Sequence, residues 1–580
     1  MEALCETRST KRYDFITAEK ADGAVYTPKA LADFVSQKIA EVVREQTTEH
    51  SLRILDPAIG HGELLVSLLE HLPYQQKGKI EVYGFETDPQ ALDIAKDRLA
   101  QHFPGISIRF ERGNFLEFVL EHFGPNGHRN LFSSTIHQAY DFIIANPPYV
   151  RTQIMGAKQT QLLSEQFGLS GRIDLYYAFV LGISQVLKPQ GIAGIIISNR
   201  FMTIKSGASI RQSLVDQFNI RHVWDLGDTK LFGAAVLPAV LLVQGKDGHK
   251  RETPAFTSIY QTSEPATALV TDPITALNEE GVIEVDDGRH FHVQHGTLDT
   301  NGRPDGVWRI ATAAGDTWLR TVEAHSWGTF RDIGKIRVGV KTCADKIFIR
   351  DDWQDMAELE RPELLRPLTT HHVARRFKAL SSNRPSHILY PHEVVEGRRR
   401  AIDLTQHPRS QAYLTTHRLA LEGRKYIIEA GRQWYEIWVP QDPNAWNQSK
   451  LVFRDIAEEP TFWIDSNGSV VNGDCYWLVA QNPTDIDLLW LASAIANSTF
   501  IERFYDLCFH NKLYAGRRRF ITQYVENFPL PDPRTSLSKS IIAKAKQVHV
   551  HTPSSFSEML QQELNAMVWE ALTGCTSPSS

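Results

Sequence analysis

Between residues 25 and 245, short apolar runs alternate with segments of helical spacing. That alternation limits the fold more than any other feature of the chain. The apolar runs are Leu52–Leu55, Ile80–Phe85, Ile106–Phe110, Asp141–Ala145, Gly191–Ile197 and Val223–Leu226. Between them Glu63–Leu72, Pro89–Leu99, Leu175–Leu187 and Ser209–Gln217 read as helices. Ahead of them, Thr27-Pro28 reads as an N-cap with proline at the first helical position. Leu31, Phe34, Val35, Ile39 and Val42 then share one apolar helical face. Strands separated by helices pair mainly in parallel, with helices on both faces. The expected fold class is therefore α/β, with ligands at the carboxyl ends of the strands.

The alternation fades after the polar, turn-rich stretch Gly245–Glu252. The main boundary is expected there, giving one domain over 1–248, a second over 249–572 and a flexible tail over 573–580. The second domain has short strand-like pieces and more Trp, Pro and Arg, which suits a mixed α+β unit. The net charge of -6 excludes a generic polyanion binder but leaves room for a local basic face. Five scattered cysteines without a CxxC pair argue against a disulfide scaffold or zinc ribbon. No metal site is expected. No apolar run has the length of a membrane span, and Met1–Lys20 does not read as a signal peptide. A cytoplasmic protein is the expectation.

Asp56-Pro57-Ala58-Ile59-Gly60-His61-Gly62 follows one strand and precedes a helix. Glycines there allow a tight turn and close approach to a ligand. Glu86 ends the next strand, where an acid can accept hydrogen bonds from ribose hydroxyls. No GxxxxGK[ST] motif is present, so a phosphate cradle for ATP is not supported. Asp56 can face a positive ligand group, which suits a sulfonium cofactor with an amino-acid tail. Gly113-Asn114-Phe115 follows the third strand and supplies a polar group beside an aromatic.

The most informative stretch is the apolar strand that runs into Asn146-Pro147-Pro148-Tyr149. Two prolines stiffen the loop and leave carbonyls free. The Asn146 side chain and the Pro147 carbonyl can accept both N–H bonds of a planar amine. That directs the nitrogen lone pair at a methyl donor and stabilises developing positive charge. Tyr149 offers an aromatic face for stacking.

These motifs resemble the gamma-class N6-adenine DNA methyltransferases of restriction–modification systems, of the TaqI methylase type. The order carries the resemblance: Tyr26-Thr27-Pro28, glycine turn, acidic strand end, Asn-Pro-Pro-Tyr, then a large C-terminal half. The resemblance implies a Rossmann-like catalytic domain using S-adenosyl-L-methionine, plus a C-terminal target-recognition domain. It implies Thr27, Asp56, Ala58, Gly60, Glu86, Asn114, Phe115 and Pro148 at the cofactor. It implies Asn146, Pro147 and Tyr149 at a flipped-out adenine. Asp174–Phe179 and Ser198-Asn199-Arg200 match later motifs of that fold. Two departures stand out: Asn114 replaces the usual aspartate, and the second stacking aromatic falls near Val243, which is not aromatic.

A base inside a duplex must be flipped out to reach such a site. The C-terminal half carries Arg375-Arg376-Phe377-Lys378, Arg398-Arg399-Arg400 and Arg517-Arg518-Arg519. Arginine runs suit phosphates and guanine edges, so Arg398, Arg399, Arg517 and Arg518 are candidate DNA contacts. Val338–Phe348 and Tyr514–Pro531 resemble a strand–turn–strand element and the closing segment of these specificity domains. The expected partners are double-stranded DNA and a separate cognate restriction endonuclease, with the chain acting as a monomer. Alternatives are the modification subunit of a multi-subunit restriction complex, a protein glutamine N-methyltransferase, a catalytically silent DNA-binding module, and N4 methylation of cytosine.

Overall fold

The computed structural model describes residues 27–43, 51–72, 80–123, 139–149, 165, 167, 174–232, 237–248, 253–300, 302–509 and 517–576. The expectations for Met1–Lys20, Tyr26, 249–252, Tyr514 and 577–580 lie outside these residues. The chain divides into two compact units, Met1–Thr312 and Ala313–Ser580.

The first unit is built on one sheet of strands β1 (Leu52–Asp56), β2 (Ile80–Glu86), β3 (Ser107–Arg112), β4 (Tyr140–Ala145), β5 (Leu187–Ser198), β6 (Phe218–Asp225), β7 (Pro238–Gly245), β8 (Ala255–Thr262), β9 (Ala268–Val270), β10 (Gly281–Val285), β11 (His290–Asp299) and β12 (Arg309–Ala311). Their order is β3-β2-β1-β4-β5-β7-β6-β8-β11-β10-β9, with β12 on β11. Strands β1 to β5 run parallel, and β7 is inserted antiparallel between β5 and β6. The inner strands of this sheet are buried on both faces, as their near-continuous apolar runs require, while the edge strand β3 is largely exposed.

The pleat sends alternate side chains to opposite faces. On β4, Phe142 and Ile144 join the core under α1 (Lys29–Val43), α2 (Glu63–His71) and α3 (Pro89–His102). Ile143 and Ala145 join the other core, under α4 (Phe115–Phe123), α5 (Leu175–Val186) and α6 (Ala208–Gln217). Asp88 caps α3 by accepting the Gln90 N–H, with Pro89 at the first position. The expected α/β sheet covered on both faces is therefore present.

The boundary expected at 248 is corrected to 312. The chain crosses the polar turn and returns to the same sheet, because β8 pairs in parallel with β6 through His222↔Ala255 to Asp225↔Ser258. Strand β11 then pairs along all of β8. Composition marks a loop but does not reveal which sheet edge the chain next joins.

The second unit is mixed α+β. A four-stranded antiparallel sheet runs Ile336–Val338, Cys475–Leu478, Lys450–Arg454, Phe462–Asp465. Helices Ile486–Ala496, Thr499–Phe509, Ser536–His551 and Ser555–Thr573 share its large aromatic core. In Val338–Phe348 the turn at Cys343 (φ 54) leads into a short helix, Asp345–Phe348, where a second strand was expected. Pro529–Leu530 pairs with Gly328–Thr329, tying the last part of the expected closing segment to the start of the unit. The final helix stops at Gly574 in the left-handed region, at the start of the expected tail.

Candidate active site

Strand β1 delivers Asp56 to the carboxyl edge of the sheet. Its Oδ1 accepts the Ala58 N–H at 3.0 Å, which folds the chain into the glycine turn. Gly60 (φ 54) and Gly62 (φ 79) then take left-handed backbone, which glycine adopts without steric cost. A Cβ on Gly62 would sit 3.1 Å from Leu99 and 3.2 Å from Ala95, so glycine also lets α3 approach.

Asp56 is fully buried, and its Oδ2 has no hydrogen-bond partner among the described residues. Burial pushes its carboxyl up to about 7, opposed by the Ala58 N–H and reinforced by the charge of Glu86. A buried carboxylate oxygen without a partner is costly unless a donor or cation reaches it.

Glu86, at the end of β2, is occupied on both oxygens. Oε2 accepts the Gly60 N–H at 2.8 Å, and Oε1 accepts the N–H groups of Thr87 at 2.8 Å and Asp88 at 2.9 Å. It therefore braces the glycine turn, and only its remaining lone pairs are open to a ligand. Asn114 differs from expectation in a similar way. Its Oδ1 accepts the Leu116 N–H at 2.9 Å and so caps α4, turning the amide NH2 outward. One lone pair of Oδ1 is thus engaged, and its second lone pair and the amide NH2 remain for a ligand.

Phe115 is corrected more strongly. Its ring is 1% exposed and packs against Phe85 at 5.7 Å and Phe179 at 5.8 Å. A Cβ on Gly182 would meet it at 2.8 Å. It is a core residue whose ring offers no open face for stacking.

Thr27, Ala58, Gly60 and Asn146 line one small cleft of about 120 Å³, together with Ile59, His61, Glu63, Leu64 and Arg98. Asn146 Nδ2 donates to Thr27 Oγ1 at 3.0 Å, across 119 residues of sequence. This bond fixes the amide and turns its oxygen away from Thr27. Pro147 is buried, and Pro148 and Tyr149 are half-buried. The Tyr149 hydroxyl is buried without a partner among the described residues, and burial pushes its phenol well above the ordinary range. Its ring lies 6.3 Å from Tyr176, which lies 4.8 Å from Tyr177.

Sequence reasoning missed Arg98. It donates to the His61 carbonyl at 2.9 Å and to Glu63 at 2.8 Å, so α3 clamps the glycine turn from behind. The tyrosines of α5 were read only as a motif match, and their pairing with Tyr149 depends on the fold.

Val243 does not border this site. It lies mid-strand in β7, fully buried, between Ala193 and Ile220. Because β7 is antiparallel, its site-facing end is Pro238, level with Ser198. The nearest preceding aromatic is Phe232, 5% exposed, and residues 233–236 lie outside the described ones.

The arginine runs separate into two kinds. Arg518 donates from Nε and Nη2 to the two carboxylate oxygens of Asp506, each at 2.8 Å, with Glu502 3.6 Å from Nη1. Arg519 pairs with Asp455, and Arg376 with Glu459 and Glu502. Arg518 is therefore a structural ion-pair residue, which corrects its expected role as a DNA contact. Arg517 is exposed. Arg398–Ala401 forms a hairpin with His392–Val395, turning through Glu396 and Gly397 with positive φ; Arg398, Arg399 and Arg400 are exposed, while His392 at its base is buried. Arg399 donates to the Gln441 carbonyl at 3.1 Å, while Arg398 and Arg400 make no ion pair among the described residues.

Among the described residues there is no metal-binding cluster, and no helix is long and apolar enough to cross a membrane.

Comparison with known proteins agrees with this architecture. Residues 81–232 match the Eco57I restriction-modification methylase family, and residues 402–530 match the TaqI-like C-terminal specificity domain. The chain is 36% identical to the type II methyltransferase M.BanIII of Aneurinibacillus aneurinilyticus, covering 93% of this chain and 95% of that one. It is 24% identical to the type II methyltransferase M.BstVI of Geobacillus stearothermophilus, over 88% and 90% of the two chains. The fold matches the type IIL restriction-modification enzyme MmeI, solved in complex with DNA, with a TM-score of 0.57 at 14% identity over 95% of this chain and 74% of that one. The chain belongs to the type II methyltransferases of restriction–modification systems.

Proposed function

We propose that this methyltransferase transfers a methyl group from S-adenosyl-L-methionine to N6 of an adenine flipped out of double-stranded DNA. The observation that carries the reading is the cleft in which Asn146, at the end of β4, meets Thr27 and the glycine turn. That cleft supports a reading in which methyl acceptor and methyl donor meet at one strand edge. In cells the chain acts as a monomer and protects DNA from a separate endonuclease.

The residues fit the cofactor. Asp56 Oδ2, buried without a partner, suits its α-ammonium group. The left-handed glycines allow the backbone to approach closely, and the remaining lone pairs of Glu86 suit ribose hydroxyls. Bound there, the cofactor supplies an electrophilic methyl group on sulfonium.

Asn146 Oδ1 and the Pro147 carbonyl accept the two N–H bonds of the adenine amine. Held by these two oxygens, the nitrogen would become more tetrahedral, with its lone pair directed at the methyl group that the bound cofactor would supply. The positive charge that develops on nitrogen is stabilised by the same two oxygens. The excess proton is then lost to water. Tyr149 offers its ring to the base. Unstacking the base costs a few kcal/mol, which contacts elsewhere on the DNA must offset.

Sequencing modified bases in DNA from cells expressing the protein tests this reading. N6-methyladenine in a fixed sequence context is expected. N4-methylcytosine in its place would overturn the choice of base, and methylated glutamine in protein with unmodified DNA would overturn the choice of substrate.

Asp56→Asn is expected to separate stability from binding. The Asp56 carboxyl is raised from 3.8 to about 7, so it favours folding below its unfolded value, and that contribution is lost as pH rises through 7. The uncharged amide keeps the Ala58 bond. It should therefore raise the melting temperature of the cofactor-free protein at pH 8 more than at pH 5.5, while weakening cofactor binding at pH 8 by roughly tenfold or more. Thermal melts and calorimetric titration at the two pH values check both halves.

The exposed Arg398 and Arg400 suit DNA phosphates. Each alanine variant is expected to weaken DNA binding and lower the slope of log affinity against log salt by about one. Arg518→Ala should instead lower the melting temperature and leave that slope unchanged, because it breaks a partly buried ion-pair network. Anisotropy titrations across a salt series distinguish the two outcomes.

A further inference from the structure

Arg424, in the second unit, is buried and has no carboxylate partner among the described residues. Its Nη1 donates to the Thr342 carbonyl at 2.8 Å, Nη2 to the Trp434 carbonyl at 2.8 Å and Nε to the Leu421 carbonyl at 3.2 Å. The guanidinium also lies 5.5 Å from the Phe348 ring. Burial pulls it below its ordinary range, and the groups whose charge acts on it are Tyr426, Cys343 and Arg432, none of them a carboxylate. A buried cation answered only by dipoles leaves a positive field in the surface above it.

That surface is the turn Lys341–Cys343 with the segment paired to it. Lys341 and Val439 exchange backbone hydrogen bonds, each at 3.0 Å. Lys341 and Cys343 are exposed, and Tyr426 lies beside Cys343. Tyr426 and Trp438 meet edge to face at 5.0 Å and are 39% and 38% exposed. A single exposed aromatic is ordinary on a protein surface. This pair is held in place. Arg432 lies 5.7 Å from the Trp438 ring, and its guanidinium is fixed by Glu436 and by the carbonyls of Ile437 and Trp438. Rigid aromatic faces lose little conformational entropy when a partner covers them.

The arginine hairpin continues this face. Side chains alternate along its strands, so Arg399 and His392 share one side and Arg398 and Arg400 the other. The first side rests on the segment Glu436–Gln441. Arg399 donates to the Gln441 carbonyl at 3.1 Å, and His392 Nε2 accepts the Ile437 N–H at 3.0 Å. Gln441 in turn donates to the Val338 carbonyl at 2.7 Å, shortly before Lys341. Hairpin, segment and turn therefore form one continuous face within the second unit.

The charges on this face select its partner. The hairpin's three arginines outnumber its two glutamates, Glu393 and Glu396. Lys341 and Lys425 are exposed and form no ion pair among the described residues. Glu422, which precedes Lys425, is paired with Arg418. Cations around an uncharged aromatic ledge match a partner with negative groups beside flat rings and sugars, which is the chemistry of DNA. The ledge also lies within the stretch that matches the TaqI-like C-terminal specificity domain.

We infer that Tyr426 and Trp438 form an uncharged DNA contact of the second unit: they lie against deoxyribose and base surfaces, while Lys341 and the outward arginines hold the flanking phosphates. This rests on the DNA reading above. It adds a part of the affinity that salt does not screen.

The test compares Trp438→Ala, Tyr426→Ala, Trp438→Phe and Lys341→Ala with the wild type, each as the full chain. Anisotropy titrations across a salt series use a fluorescein-labelled duplex carrying the sequence that the wild type methylates. A wild type that neither methylates nor binds DNA sinks the DNA reading itself. With a binding wild type, Trp438→Ala and Tyr426→Ala are expected to weaken Kd about tenfold at every salt concentration, with the slope of log affinity against log salt unchanged. Lys341→Ala should lower that slope by about one. Trp438→Phe keeps a flat ring and should recover most of the affinity. The exposed Cys343 gives a second readout without any substitution. Bound duplex should slow its alkylation by N-ethylmaleimide in the wild type, followed by peptide mass spectrometry with the exposed Cys575 as reference. Wild-type affinity in both alanine variants of the ledge, or Cys343 alkylated equally fast with and without duplex, would overturn the inference. A lower salt slope in Trp438→Ala would overturn it too, because the contact would then be ionic. Unchanged DNA affinity with lost self-association in sedimentation would overturn it in favour of a second copy of the chain.

Discussion

Asn146→Ala is expected to slow methyl transfer to DNA by roughly a thousandfold, while cofactor binding changes by no more than about twofold. Two acceptors hold the amine in the proposed chemistry, and one is the Asn146 oxygen. Removing it deletes an interaction that strengthens as charge develops on nitrogen, so the loss falls on kcat. Alanine also removes the bond to Thr27 Oγ1, which fixes the amide across the cleft. Asn146→Asp keeps an oxygen toward the base, and the Thr27 hydroxyl can turn to donate, so its activity should fall between the two. Tyr149 supplies the complementary comparison. Its hydroxyl is buried and makes no hydrogen bond among the described residues, so Tyr149→Phe should change kcat by only about threefold or less. Tyr149→Ala removes the ring and should cost far more. Single-turnover methylation with radiolabelled cofactor, beside calorimetric cofactor titration, measures all four. An Asn146→Ala enzyme of near wild-type activity would place the chemistry elsewhere.

Lys450→Ala is expected to destabilise the second unit by about 3–5 kcal/mol. Lys450 Nζ lies 2.8 Å from Asp465 Oδ2 on the neighbouring strand, with side chains 0% and 5% exposed. Nζ also donates to the Trp446 carbonyl at 2.8 Å. Burial pulls the Lys450 ammonium below its ordinary range, and the carboxylate of Asp465 opposes that pull. Removing the lysine leaves the Asp465 carboxylate buried with weaker partners, the Asn467 N–H and the Ser469 hydroxyl. Replacing both, as Lys450→Met with Asp465→Leu, removes the orphaned charge and should restore much of the loss. Chemical denaturation of the single and double variants reads both effects. If the single variant were as stable as the wild type, the pair would contribute nothing to the fold.

Much of the catalytic unit was legible because its signals are local. A strand buried on both faces must be apolar throughout, so four of the six runs coincide with β1, β2, β4 and β5, Val223–Leu226 covers the end of β6, and the remaining run overlaps the largely exposed edge strand β3. The helical spacing from Pro89 announced α3, and Gly60 with Gly62 announced the turn. The four residues of Asn146–Tyr149 marked the candidate site, because few side-chain sets could hold a planar amine. The sequence could not reveal that Phe115 faces the core. Its neighbour Asn114 caps α4, and the rotation of that helix decides which way the ring points.

The arginine runs show the same limit. Arg398–Arg400 and Arg517–Arg519 look alike as strings, but Arg518 meets Asp506 and Arg519 meets Asp455 only through folding. Charge on a sequence is a sum, whereas binding depends on whether a carboxylate already occupies the guanidinium. The sequence by itself determined the parallel sheet, the glycine turn, the acid at Glu86 and the Asn146–Tyr149 tetrapeptide at the end of β4, because periodicity and backbone freedom are properties of neighbouring residues. Tertiary structure alone decided that strands β8 to β12 join that sheet, that Thr27 reaches Asn146, and that Asn199, Asp225 and Tyr260 meet. These contacts join residues tens to more than a hundred positions apart, and only strand order and register bring them together.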